Sequence, residues 1–195
     1  MDSLVVIKKF GYESALFENL ELSFDNSSKI GIVGNNGVGK TTLLKLISQQ
    51  ITASGVSVVA NPDIGYFDIN YTLNKEYSFH DNCKLYSRYL QKDLIEEYVQ
   101  KFAFNKHKNL KINKLSKGNL VKAHLIFLLS LEKSFYFWDE PFSNLDEKSK
   151  TVFKLILQEA SFGFLLISHD FQMITSCCNK IYEIKNKTLI PVNNF

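Results

Sequence analysis

The residues whose types and spacing most clearly suggest chemistry are Gly34-Asn35-Asn36-Gly37-Val38-Gly39-Lys40-Thr41, followed by Thr42. Gly34, Gly39, Lys40 and Thr41 fit the pattern G-x-x-x-x-G-K-[ST]. Glycines let the backbone curl until successive N–H groups converge on one anion. A helix opening at Lys40 would add the positive end of its dipole at the same place. Lys40 supplies a mobile charge for β- and γ-phosphates, and the Thr41 hydroxyl can ligate Mg²⁺. The expected ligand is therefore a nucleoside triphosphate, ATP with Mg²⁺. A second group lies at Phe135-Tyr136-Phe137-Trp138-Asp139-Glu140, an apolar run ending in two acids. At the carboxyl end of a parallel strand, Asp139 could hold the metal, and Glu140 could polarise the water that attacks the γ-phosphate. Apolar runs that end in acids are common, so this one gains its meaning from the phosphate loop.

The surrounding pattern supplies elements to position these groups. Leu4–Ile7 and Leu20–Phe24 read as strands, the second with period-two alternation. Lys29–Val33 reads as a buried strand leading straight into the loop, and Thr42–Ile47 as part of the helix after it. Short strands follow at Gly55–Ala60 and Ile64–Phe67. Between about Tyr71 and Leu115 the character changes. Leu85, Tyr89, Leu94, Tyr98 and Phe102 recur at helical spacing among charged residues, which predicts an amphipathic helical insert. Helices are expected at Asn119–Leu131, Asp146–Ala160 and Phe171–Cys177. Strands are expected at Phe135–Trp138, Phe164–Ile167 and, last, Ile181–Ile184. Strands alternating with helices predict an α/β fold with a mostly parallel sheet, antiparallel N-terminal strands and a short helical subdomain over roughly 71–131, all within one domain spanning 1–195.

Composition narrows the classes. The chain of 195 residues has a net charge of +3, and Arg88 is its single arginine. The lysines look scattered along the sequence, so no direct nucleic-acid partner is expected. Cys83, Cys177 and Cys178 form no C-x-x-C pair and no zinc spacing. No apolar run approaches the ~20 residues of a spanning helix, which predicts a soluble, cytoplasmic protein.

Together the motifs resemble those of the ATP-binding cassette (ABC) ATPases. Leu115-Ser116-Lys117-Gly118-Asn119 is similar to that family's signature motif, Ser143-Asn144-Leu145-Asp146 to its D-loop, and Ser168-His169-Asp170 to its switch-histidine motif. Ser116 falls 23 residues before Asp139, a gap typical of the family. The resemblance implies a head-to-tail dimer, homomeric or heteromeric, with ATP held between the loop of one chain and the signature of the other. It implies γ-phosphate contacts from Ser116 and Gly118 to the partner's nucleotide and from His169 within its own chain. Asp146 would lie at the dimer seam or cap a helix, or both. Phe10, with Tyr12 as the alternative, stands where the family stacks an aromatic ring on adenine.

Three departures stand out. Lys117 and Asn119 replace a glycine and a glutamine of the usual signature. Ile69, with Asn70 beside it, occupies the place of the family's metal-reaching glutamine. The interval from Lys40 to Ser116, 76 residues, is short for the family. The resemblance implies an ATP-hydrolysing subunit of exporter type that powers a separate transmembrane permease from the inner face of the membrane. The alternatives are a soluble ATPase acting on ribosomes or nucleic acid, and a module that binds nucleotide but hydrolyses it weakly.

Overall fold

The computed structural model describes residues 3–11, 15–59, 63–67 and 73–192, so Tyr12, Ile69 and Asn70 lie outside the described residues. The chain divides into two compact units. The first comprises 1–64, 134–140 and 160–195, and the second comprises 65–133 and 141–159.

The first unit holds two sheets. In the smaller, β1 (Ser3–Gly11) pairs antiparallel with both β2 (Ala15–Phe24) and β4 (Val56–Val59). Val5 faces Leu22 on one side and Val58 on the other. The alternation of β2 places Leu20, Leu22 and Phe24 in the core, each no more than 4% exposed. In the larger sheet, β6 (Phe135–Asp139), β7 (Gly163–Ile167), β3 (Lys29–Val33) and β8 (Lys180–Lys185) run parallel in that order. β5 (Ile64–Phe67) begins where the chain leaves this unit. All five residues of β7 are buried, as a parallel strand covered on both faces requires.

An edge strand, β9 (Thr188–Pro191), follows β8 antiparallel and was not anticipated. It is linked by Asn186 and Lys187, both at positive φ (50° and 66°), the backbone of a tight hairpin turn. Such turns are usually recognised by an Asn-Gly pair. With lysine in the glycine's place, the signal is hidden.

The second unit is helical. It contains α2 (Phe79–Leu85), α3 (Lys92–Lys101), a 3-10 turn at Ile112–Lys114, α4 (Lys117–Leu129) and α5 (Glu147–Glu159). Ser78 caps α2 by accepting from the Asp81 N–H at 3.0 Å. Fully buried Asn82 fixes the entry to that helix, its side chain bonding both N–H and C=O of Asn74. The apolar stripe expected from Leu85 to Phe102 is corrected by the structure. The helical run breaks over Tyr86–Gln91, which resets its phase, leaving Leu85 61% and Tyr89 69% exposed. Val99 and Phe102 carry the burial instead, beside a Phe79–Phe104 edge-to-face pair at 5.3 Å.

Candidate functional site

In the first unit β3 ends at Val33, and α1 (Lys40–Ile47) starts directly after the loop. Gly39 ends that loop at φ 105°, a conformation other residues rarely adopt. A Cβ there would stand 2.9 Å from the Phe17 ring, so glycine is required sterically as well. Leu43, Leu44, Leu46 and Ile47 bury one face of α1 and hold its N-terminus in place. The Lys40 ammonium donates to Gly34 O at 2.7 Å and to Asn35 O at 3.0 Å.

The strand-end acids meet the loop, as the sequence anticipates. One cleft of about 440 Å³ is lined by Asn36, Gly37, Gly39, Lys40, Thr41, Thr42, Asp139, Glu140, Ile167 and His169. Glu140 sits at φ 50°, strained for a residue with a side chain, and its N–H donates to Ile167 O at 3.0 Å. That bond to the neighbouring strand turns the side chain toward His169. The Glu140 carboxylate accepts from the His169 N–H at 3.2 Å, and its other oxygen lies 3.1 Å from His169 Nε2. Burial pushes the Glu140 carboxyl above the usual glutamate range, opposed by the His169 N–H and by the charges of His169 and Lys40. A raised pKa suits a general base at neutral pH.

The donor set fits Mg²⁺. Thr41 hydroxyl and Asp139 carboxylate are hard oxygen donors in one cleft, and they would hold a magnesium ion that neutralises phosphate charge. No cluster of three or more His, Cys, Asp or Glu that could hold a metal alone occurs among the described residues. Val38 precedes Gly39 in the loop, and its side chain lies near the position a Cβ at Gly34 would take. Phe10 lies beside this loop's support, its ring stacked on Phe17 at 6.2 Å. Phe17 therefore touches both the aromatic candidate and the loop, a role the sequence did not reveal.

The signature residues belong to the second unit. Ser116 caps α4, its hydroxyl accepting from the Asn119 N–H at 3.4 Å. A Cβ on Gly118 would stand 2.7 Å from the Asn144 carbonyl, which is turned there by the positive φ of Asn144 (64°). Asp146 accepts from Lys122 Nζ at 2.7 Å and from the Ser149 N–H at 2.8 Å. It is thus a cap of α5, and these bonds hold its carboxyl down at about 2, Lys122 contributing most. Lys122 was not singled out in the sequence, and Asn144 was named only within the D-loop stretch, with no role of its own. The importance of both comes from what they touch.

The family model described as "ABC transporter" matches residues 17–143, through both the loop and the strand-end acids. The chain belongs to the ABC transporter family. ATP binding and hydrolysis are the chemistry of its ATP-binding cassette. Among its relatives, the uncharacterized ABC transporter ATP-binding protein YfmM of Bacillus subtilis is 32% identical over 84% of this chain and 32% of its own length. The ribosome protection protein VmlR of the same organism is 30% identical over 97% of this chain and 33% of its own length. The chain thus spans about a third of these relatives. A solved structure described as an ATP-binding subunit of an ABC transporter superposes with a TM-score of 0.84 over 97% of this chain and 89% of that one. At 20% identity, this likeness speaks for the fold alone. No helix among the described residues is long and apolar enough to cross a membrane.

Proposed function

We propose that this cassette is one half of an ATP-driven clamp. Its phosphate loop and strand-end acids bind and hydrolyse ATP, while Ser116 and Gly118 meet the nucleotide of a second cassette, identical or related. The observation that carries this reading is the gathering of Lys40, Thr41, Asp139, Glu140 and His169 around one cleft. On binding, Lys40 leaves its two carbonyls for the β- and γ-phosphates. Bound Mg²⁺ would neutralise charge on the phosphates while held by Thr41 and Asp139. Glu140 orients and deprotonates the attacking water, and His169 holds Glu140 and contacts the γ-phosphate. Phe10 stacks on the adenine, and Asp146 fixes the D-loop beside the dimer seam. Closure around ATP and reopening after hydrolysis would drive the partner that does the work.

That partner is first a separate transmembrane permease of an exporter-type system, reached from the cytoplasmic face. A second reading is favoured by the likeness to VmlR, a ribosome protection protein. In it, the same clamp acts on the ribosome rather than on a permease. Glu140→Gln tests the motor: it should keep ATP binding, stop turnover and yield a dimer that forms only with ATP in size-exclusion chromatography. Hydrolysis at the parent rate in this variant would sink the assignment. Capturing the ATP-locked variant from cells, followed by mass spectrometry, separates a permease from ribosomal proteins.

A further inference from the structure

Between Glu97 and Glu132 the sequence carries seven lysines and no acid. The fold concentrates this run further. The segment around Lys108–Asn113 lies against the segment that opens α2. Ile112 N–H donates to Tyr77 O at 2.9 Å, Asn113 N–H to Lys75 O at 3.1 Å, and His80 N–H to Lys108 O at 2.9 Å. Lys75 and Tyr77 therefore lie beside the backbone of residues 111–114, which carries Lys111 and Lys114, while Lys108 lies against His80. The Tyr77 ring is 47% exposed, and Lys75, Lys111 and Lys114 are exposed as well. The nearest acid, Glu76, is taken by Lys111 at 3.6 Å and by the Asn113 amide at 3.0 Å. Among the described residues, Lys75, Lys108 and Lys114 have no carboxylate within ion-pair distance. Lysines that look scattered along the chain are thus brought into neighbouring segments of the second unit, because residues 108–113 fold back on residues 75–80.

We infer that this surface binds single-stranded RNA, with the lysines on its phosphates and Tyr77 stacked on a base. An exposed aromatic ring in a lysine-rich surface is an arrangement that binds single strands. The exposed amides of Asn105 and Asn109, within the same lysine run, can bond 2′-hydroxyls, which distinguish RNA from DNA. A membrane surface fits less well, since insertion needs an apolar face. Leu110 is the single large apolar side chain exposed between residues 101 and 117. The inference deepens the second reading of the partner but rests on residues apart from the ATP cleft.

The test is fluorescence anisotropy of the full chain with a short labelled RNA of mixed sequence, alongside DNA of the same sequence, phosphatidylglycerol vesicles and polyglutamate. RNA binding should weaken with salt, log K falling by about 0.7 per phosphate contact for each unit of log salt. The triple variant Lys75→Gln, Lys108→Gln, Lys114→Gln should bind at least about tenfold more weakly with a salt slope shallower by roughly two. Tyr77→Leu should weaken binding about tenfold and leave the slope unchanged. Both variants should bind a fluorescent ATP analogue like the parent, which shows that they fold. Parent chain that fails to bind RNA, binds DNA equally, or prefers vesicles or polyglutamate overturns the inference. So does RNA affinity unmoved in both variants. Loss of ATP binding in the parent would instead count against the clamp and leave this surface standing.

Discussion

The two units treat their charged groups in opposite ways. The first holds eight Lys and Arg against ten Asp and Glu, and its functional side chains are already engaged with one another. Lys40 rests on two carbonyls, and Glu140 is held by His169 and the Ile167 carbonyl. The second holds fifteen against ten, and among the described residues Lys75, Lys108 and Lys114 have no carboxylate within ion-pair distance. The difference teaches what each unit waits for. A preorganised cleft needs only a ligand that outcompetes its internal bonds, as the proposed triphosphate would for Lys40. An unpaired basic face leaves its charge uncompensated until a polyanion arrives.

The sharpest break of this contrast is at Glu140. Glu140→Gln should lower turnover by about 10²- to 10⁴-fold with ATP affinity retained, measured by phosphate release and analogue binding. Lys40→Ala should abolish detectable ATP binding in the same titration; affinity near the parent's would remove the loop from its role. Next in size is Gly118→Ala in the second unit. Its new methyl meets the Asn144 carbonyl, and the cost should be about 1–3 kcal/mol by the usual penalty for overpacking. Thermal denaturation should register this as a lowered Tm, and an unchanged Tm would show that the turn gives way freely. Smaller still is Asp146→Ala, which removes the α5 cap and should cost ~1 kcal/mol. Because the Asp146 carboxyl is depressed from 3.8 to about 2, its contribution is present above the ordinary value and fades as pH falls through that window. A stability difference between parent and Asp146→Ala that persisted below pH 2 would contradict the bonds drawn to it. The last effect is on the pH–rate profile. Burial raises the Glu140 carboxyl, so the acid limb of turnover should lie above the usual glutamate value. A limb at or below it would detach the base from Glu140.

The phosphate loop and the strand-end acids were legible because each is a run of consecutive residues whose local backbone does the work. Gly34, Gly39, Lys40 and Thr41 sit where their spacing places them, between a buried strand and a helix. The elements of the parallel sheet were legible for a similar reason: continuous apolar runs such as Phe164–Ile167 allow few alternatives. The helical unit was harder. Its apolar residues suggested one continuous stripe, and a turn at Tyr86–Gln91 that no Gly or Pro announces broke it. β9 escaped because lysine, not glycine, occupies a positive-φ position of its turn.

By itself, then, the sequence determined the ligand class, the family and the order of the sheet-forming segments, all of which depend on neighbours in the chain. Tertiary structure decided what depends on distant ones. Only it could set Phe17 beneath Gly39, the Asn144 carbonyl against Gly118, and Lys122 beside Asp146. It also brought the lysine-bearing segment 108–113 against residues 75–80. The reason is physical: a motif is read from residues a few bonds apart, whereas a surface charge or a steric limit is fixed by segments that meet only when the chain folds.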